Sequence, residues 1–67
     1  MFKSHHEYIH SHTLDIQLTV LKVQYACANY VKVKGILSNR HDGVYYEMGT
    51  YKIYKKDFKH WIDKRVY

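Results

Sequence analysis

The 67-residue chain has no proline, three glycines and a single cysteine, and six acidic residues stand against eleven basic ones. Each shortage excludes something. One cysteine, Cys27, cannot close an internal disulfide, so the staple of small secreted domains is missing and a reducing cytoplasm, that of a bacterial host cell, is the expected setting. No apolar run approaches the roughly 18 residues of a membrane span. A charged-then-apolar leader with a small-residue cleavage site is also missing, so no membrane partner is expected. There is no glycine-rich phosphate loop and no paired-carboxylate pattern, and Cys27 has no visible orienting group or oxyanion loop. A chain of this length buries only about 60% of the surface its unfolded form exposes, which leaves little core to wall a cleft. An enzyme is not expected, and neither is a cofactor. With no repeats and no linker, the chain reads as one domain.

What is present is aromatic and basic. Eight tyrosines and an apolar fraction of 46% argue against disorder. The net charge of +5 is unevenly spread. Through Val31 two lysines balance two acids, whereas from Lys32 onward nine basic residues face four acidic ones. A one-sided basic balance suits phosphate neutralisation, and the competing reading is a solvated face kept for solubility.

Residues 1–12 form a polar, histidine-rich segment expected to be flexible, and 13–67 form the domain. Within 13–28 two periodicities coexist. Leu14, Ile16, Leu18 and Val20 alternate as in a strand, while Ile16, Val20, Val23 and Cys27 share a helical face with Thr19 as a possible cap. Residues 29–40 are equally open. Val33, Ile36 and Leu37 suit a helix, but Gly35 in its middle costs roughly 1 kcal/mol, so a strand from Tyr30 to Leu37 competes. His41-Asp42-Gly43 reads as a turn. Val44–Met48 and Tyr51–Tyr54 read as a hairpin reversing at Gly49-Thr50. Lys55 to Arg65 reads as a helix presenting Phe58, Trp61, Ile62 and Val66, with Asp57 early and Lys64-Arg65 late to suit its dipole.

The run Gly43-Val-Tyr-Tyr-Glu-Met-Gly-Thr-Tyr-Lys-Ile-Tyr-Lys-Lys-Asp-Phe-Lys-His-Trp-Ile62 resembles the wing and closing helix of excisionase-type (MerR-like) winged helix-turn-helix proteins of phages and transposons. Leu18-Thr-Val-Leu-Lys-Val23 falls where that family begins its first helix. Thr50 stands where many relatives carry arginine, and Tyr54 where proline is usual. The resemblance implies an α+β fold: a small winged helix-turn-helix with a two-stranded wing and a C-terminal helix. It implies sequence-specific binding of double-stranded DNA, as an excisionase in DNA recombination or a small transcriptional regulator of a mobile element. Lys32, Lys34, Ser38, Asn39 and Arg40 would then face the major groove. Gly49, Thr50 and Tyr51 would form the wing tip, and Lys52, Lys55 and Lys56 would hold phosphates. An integrase or recombinase, and self-association on DNA, are the implied partners.

Two other readings stand beside it. A small antiparallel β-sheet plus C-terminal helix could bind and inhibit a host protein. Alternatively, Tyr45, Tyr46, Tyr51 and Tyr54, interleaved with lysines, could stack the bases of single-stranded nucleic acid or RNA, unless they are ordinary core and strand tyrosines. Of the histidines, His6 and His10 would share a helix face, but no acidic or cysteine ligand is suitably spaced, so no metal is expected.

Overall fold

A computed structural model of the chain describes residues 2–41 and 43–66, and leaves the side chains of Tyr45 and Tyr46 undescribed. The described residues form one antiparallel five-stranded sheet. Its strands are β1 (Glu7–His10), β2 (Ile16–Ala26), β3 (Tyr30–Asn39), β4 (Tyr45–Tyr54) and β5 (Trp61–Asp63), in spatial order β4-β3-β2-β1-β5. Between the edge strands β4 and β5 the chain crosses the sheet through a 3-10 turn, Lys55–His60.

One face of this sheet is the core. Period-2 alternation brings Tyr8 of β1, Leu18 and Val20 of β2, Val31 and Val33 of β3 and Ile53 of β4 together, with Val23, Leu37 and Tyr51 packed against them. Phe2 closes the face from the N-terminal side. Its ring lies 4.6 Å from Tyr8 and 5.1 Å, edge-on, from Phe58 of the 3-10 turn. The buried Tyr8 hydroxyl accepts the Lys3 backbone N–H at 2.7 Å, so its polar end is satisfied. Residues 7–10, inside the segment expected to be flexible, thus form β1.

The winged helix-turn-helix is not there. Among the described residues the only helical element is the six-residue 3-10 turn, and the two segments assigned to the helix-turn-helix are strands β2 and β3. The helical periodicity of 13–28 comes from two irregularities in β2. Register shifts between Val20 and Lys22 and between Val23 and Tyr25 insert an extra residue each time. The inward positions therefore run 18, 20, 23 and 26, and spacings of three imitate a helix. In β3 alternation is unbroken, with Val31, Val33, Gly35 and Leu37 inward and Lys32, Lys34, Ile36 and Ser38 outward.

The wing is corrected too. Gly49-Thr50 does not reverse the chain but lies mid-strand in β4, with Gly49 paired to Gly35. Gly35 serves close approach, since a Cβ there would meet the Thr19 carbonyl oxygen at 2.5 Å. The reversal sits at Gly43, whose φ of 74° suits glycine, while Asp42 of the expected turn lies outside the described residues.

The C-terminal helix from Lys55 to Arg65 is replaced by the 3-10 turn and β5. Phe58, Trp61 and Ile62 satisfy both geometries. Phe58 enters the core from the turn, after which adjacent Trp61 and Ile62 take opposite sides of a strand, paired with His10 and Ile9. The backbone donors and acceptors of this short segment are met by β1 rather than by a helix of its own.

Candidate nucleic-acid interface

The face opposite the core carries the charge. Along β3, Tyr30, Lys32 and Lys34 project outward, and the register sets Lys34 opposite both Lys22 of β2 and Thr50 of β4. Lys32 faces Tyr25 on one side and Lys52 on the other, and Tyr30 faces Tyr54. Four lysines, Lys22, Lys32, Lys34 and Lys52, thus occupy neighbouring positions, all exposed. None takes part in an ion pair found among the described residues.

Such an arrangement is unfavourable for the folded state alone, because like charges directly opposite across strands destabilise a sheet. The aromatic end relieves a little of it. The Lys52 ammonium lies 4.6 Å from the ring centre of Tyr30 and 5.7 Å from that of Tyr54. The Tyr30 ring is tilted 47° against Tyr25 at 6.0 Å and meets Tyr54 edge-on at 5.8 Å. Tyr25 and Tyr54 are exposed, so this end offers aromatic surface rather than core. Lys55 and Lys56, also exposed, line a shallow depression beside Tyr54 with Ala28 and Asn29. The field of this end reaches Cys27 in the β2–β3 turn. Its thiol is held below the ordinary value first by the Asn29 backbone N–H, against the opposing effect of burial, then by the Tyr30 backbone and last by the charges of Lys55 and Lys52.

The residues singled out from the sequence divide into two groups. Lys32, Lys34, Thr50 and Lys52 come together on this face, with Ser38 further along the same row of β3. Thr50 donates its hydroxyl to Gln24 Oε1 at 3.4 Å. Gly49 and Tyr51 turn to the other side, where Tyr51 packs on the core and its hydroxyl donates to the Glu47 carbonyl at 3.0 Å. Asn39 ends β3 and Arg40 follows it; Asn39 Oδ1 accepts the His41 N–H, Arg40 donates to the Leu14 carbonyl at 3.1 Å, and both line a groove beyond Ser38. Sequence reasoning missed Lys22, Tyr25 and Tyr30. The Tyr-x-Lys-x-Lys alternation at 30–34 was legible, but the irregularities in β2 hid Lys22 and Tyr25.

At the other end His10, His12 and His60 gather, with ring centres 4.5 to 5.8 Å apart. His6 Nδ1 lies 2.8 Å from Asp63 Oδ2, and His12 and His60 share a 2.8 Å contact beside His10. Among the described residues no group of three His, Cys, Asp or Glu side chains is arranged to hold a metal ion. No helix among them is long and apolar enough to cross a membrane.

Compared with known proteins, the chain matches no family model, no curated protein and no solved structure.

Proposed function

We propose that this protein binds single-stranded nucleic acid across the outer face of its sheet, as a binding module rather than an enzyme. The observation that carries the reading is the lysine quartet, whose directly opposed pairs Lys22–Lys34 and Lys32–Lys52 have no carboxylate partner among the described residues and run into Tyr25, Tyr30 and Tyr54. Phosphates would neutralise the ladder, and unstacked bases would lie on the rings. Stacking of this kind is sequence-tolerant, since every base offers a π-face. A duplex hides those faces, and the helix-turn-helix expected to enter its major groove is not formed among the described residues.

From the Tyr30 row to the Ser38 row the face spans eight residues of β3, or roughly 26 Å at the rise of a strand. That suits a site of about four nucleotides, at the lower end of the range for small sheet-based binders. A cytoplasmic place of action accompanies this reading, and the unpaired Cys27 suits it.

Fluorescence anisotropy with labelled single-stranded and duplex oligonucleotides of equal length, at low and moderate salt, tests the proposal. Salt-sensitive binding that favours the single strand is expected. Duplex preference, or no binding at low salt, overturns it.

A further inference from the structure

Beyond the lysines, the same outer face changes character. Two residues along β3 from Lys34, about 7 Å further on, Ile36 pairs with Thr19 and then Ser38 with Gln17, while Thr19 pairs in turn with Glu7 of β1. These side chains and Lys64, with Asn39, Arg40 and Gly43 at the far end, line an open groove of about 380 Å³. This volume lies at the small end of the roughly 300–1,000 Å³ typical of ligand sites.

Its polar groups are ordered. Gln17 Nε2 donates to Glu7 Oε2 at 2.6 Å and reaches Thr19 Oγ1 at 3.4 Å. A carboxylate only accepts, so the Gln17 amide must present its nitrogen to Glu7 and keep its carbonyl oxygen as an acceptor. The Lys64 ammonium stands 3.9 Å from Glu7 Oε1. The groove therefore offers a cationic donor directly beside a carboxylate, with the apolar Ile36 on its lining.

We infer that this groove receives one unpaired guanine of a bound strand, an assignment that rests on the single-strand reading above. The Watson–Crick edge of guanine presents an acceptor, O6, followed by two donors, N1–H and N2–H. Lys64 beside Glu7 is its complement: the ammonium donates to O6 while the carboxylate accepts from N1–H and N2–H. Thymine and uracil turn two carbonyl oxygens and one N–H to the same place, so a carbonyl meets the carboxylate. Cytosine and adenine offer a single amino group and leave one carboxylate oxygen without a donor. Continuity with the lysine ladder fixes the strand's path, phosphates over Lys34 and Lys22 and the next base in the groove.

The test uses labelled oligo-dT of about eight nucleotides, the same strand with one central guanine, and one with inosine in its place, which lacks the N2 amine. The guanine strand should bind about tenfold tighter than oligo-dT, with inosine between them, a step within the range of one bidentate base contact. Glu7→Gln should erase the difference, because the acceptors for N1–H and N2–H are lost and the clash with a thymine carbonyl is relieved, so that oligo-dT binds somewhat tighter. Equal binding of all three strands by the unaltered protein, with salt dependence intact, overturns the guanine site and spares the single-strand reading. Failure to bind any of them overturns both. Discrimination that survives Glu7→Gln overturns the assignment to this groove. The base series on the unaltered protein stands even if the variant folds poorly.

Discussion

Replacing Lys34 by glutamine perturbs the lysine ladder where it is most crowded, with Lys22 directly across β2 and Lys32 and Lys52 nearby on the same face. Two ammonium groups about 6 Å apart in water repel by roughly 0.7 kcal/mol, and screening at about 0.1 M salt reduces this to roughly 0.4 kcal/mol. Lys34→Gln should therefore leave stability unchanged or raise it by a few tenths of a kcal/mol in low salt. Binding should move the other way. Each phosphate neutralised on a single strand contributes about −0.7 to the slope of log affinity against log salt, so four lysines predict about −2.8. Between roughly 50 and 200 mM salt that is about a 50-fold loss of affinity, which in the variant shrinks to about 20-fold as the slope falls to about −2.1. Urea melts and anisotropy titrations over this salt range read both quantities. A variant that is clearly destabilised, or that weakens binding without flattening the slope, would refute the view that this ladder is retained for phosphate.

Three further outcomes follow from the geometry. Gly35→Ala should destabilise the fold by about 1–3 kcal/mol, because its Cβ would meet the Thr19 carbonyl at 2.5 Å, whereas Gly49→Ala meets nothing nearer than the Glu47 side chain at 3.9 Å. Chemical denaturation compares them, and greater damage at Gly49 would contradict the continuous β4. Tyr30→Ala should weaken single-strand affinity by about 1–3 kcal/mol, while Tyr51→Phe, on the core side of the sheet, should leave it unchanged; equal effects in anisotropy would reject the division of faces. Stability should fall in two steps on acidification. Burial first, then the neighbouring charges of His12 and His60, hold His10 below its ordinary value, so between about pH 6.5 and the lowered folded value the unfolded chain binds more protons and stability declines. Asp63 is also lowered, by the Arg65 backbone N–H and then by His6, and what it contributes is present above about pH 3.9 and lost as pH falls through its folded value. His10→Phe, which also removes a buried Nδ1 with no partner found among the described residues, should abolish the first step in thermal melts, and persistence of that step would assign it elsewhere.

Reading strands from the sequence succeeded where alternation is strict and failed where it is interrupted. β3 is an unbroken alternation, so a strand over Tyr30–Leu37 was legible as one of two choices. In β2 the irregularities after Val20 and after Val23 turn a two-residue repeat into a three-residue one, so a helical periodicity stands beside the strand one and neither decides. Gly49 misled for a related reason. Glycine marks a reversal when the backbone needs positive φ, as at Gly43, but it also stands where adjacent strands crowd, and the two uses look alike in sequence.

By itself, the sequence determined what depends on composition: a small chain with one cysteine, tyrosine-rich, with its net positive charge in the second half. The turn at Gly43 also belongs to that tier, because it is local. Tertiary structure alone decided between helix and strand around Phe58, Trp61 and Ile62, since a three-residue β5 has no stability until β1 supplies its hydrogen bonds. It alone decided which charges share a face. Lys22, Lys34 and Lys52 lie far apart along the chain, and only the register of three strands sets them side by side.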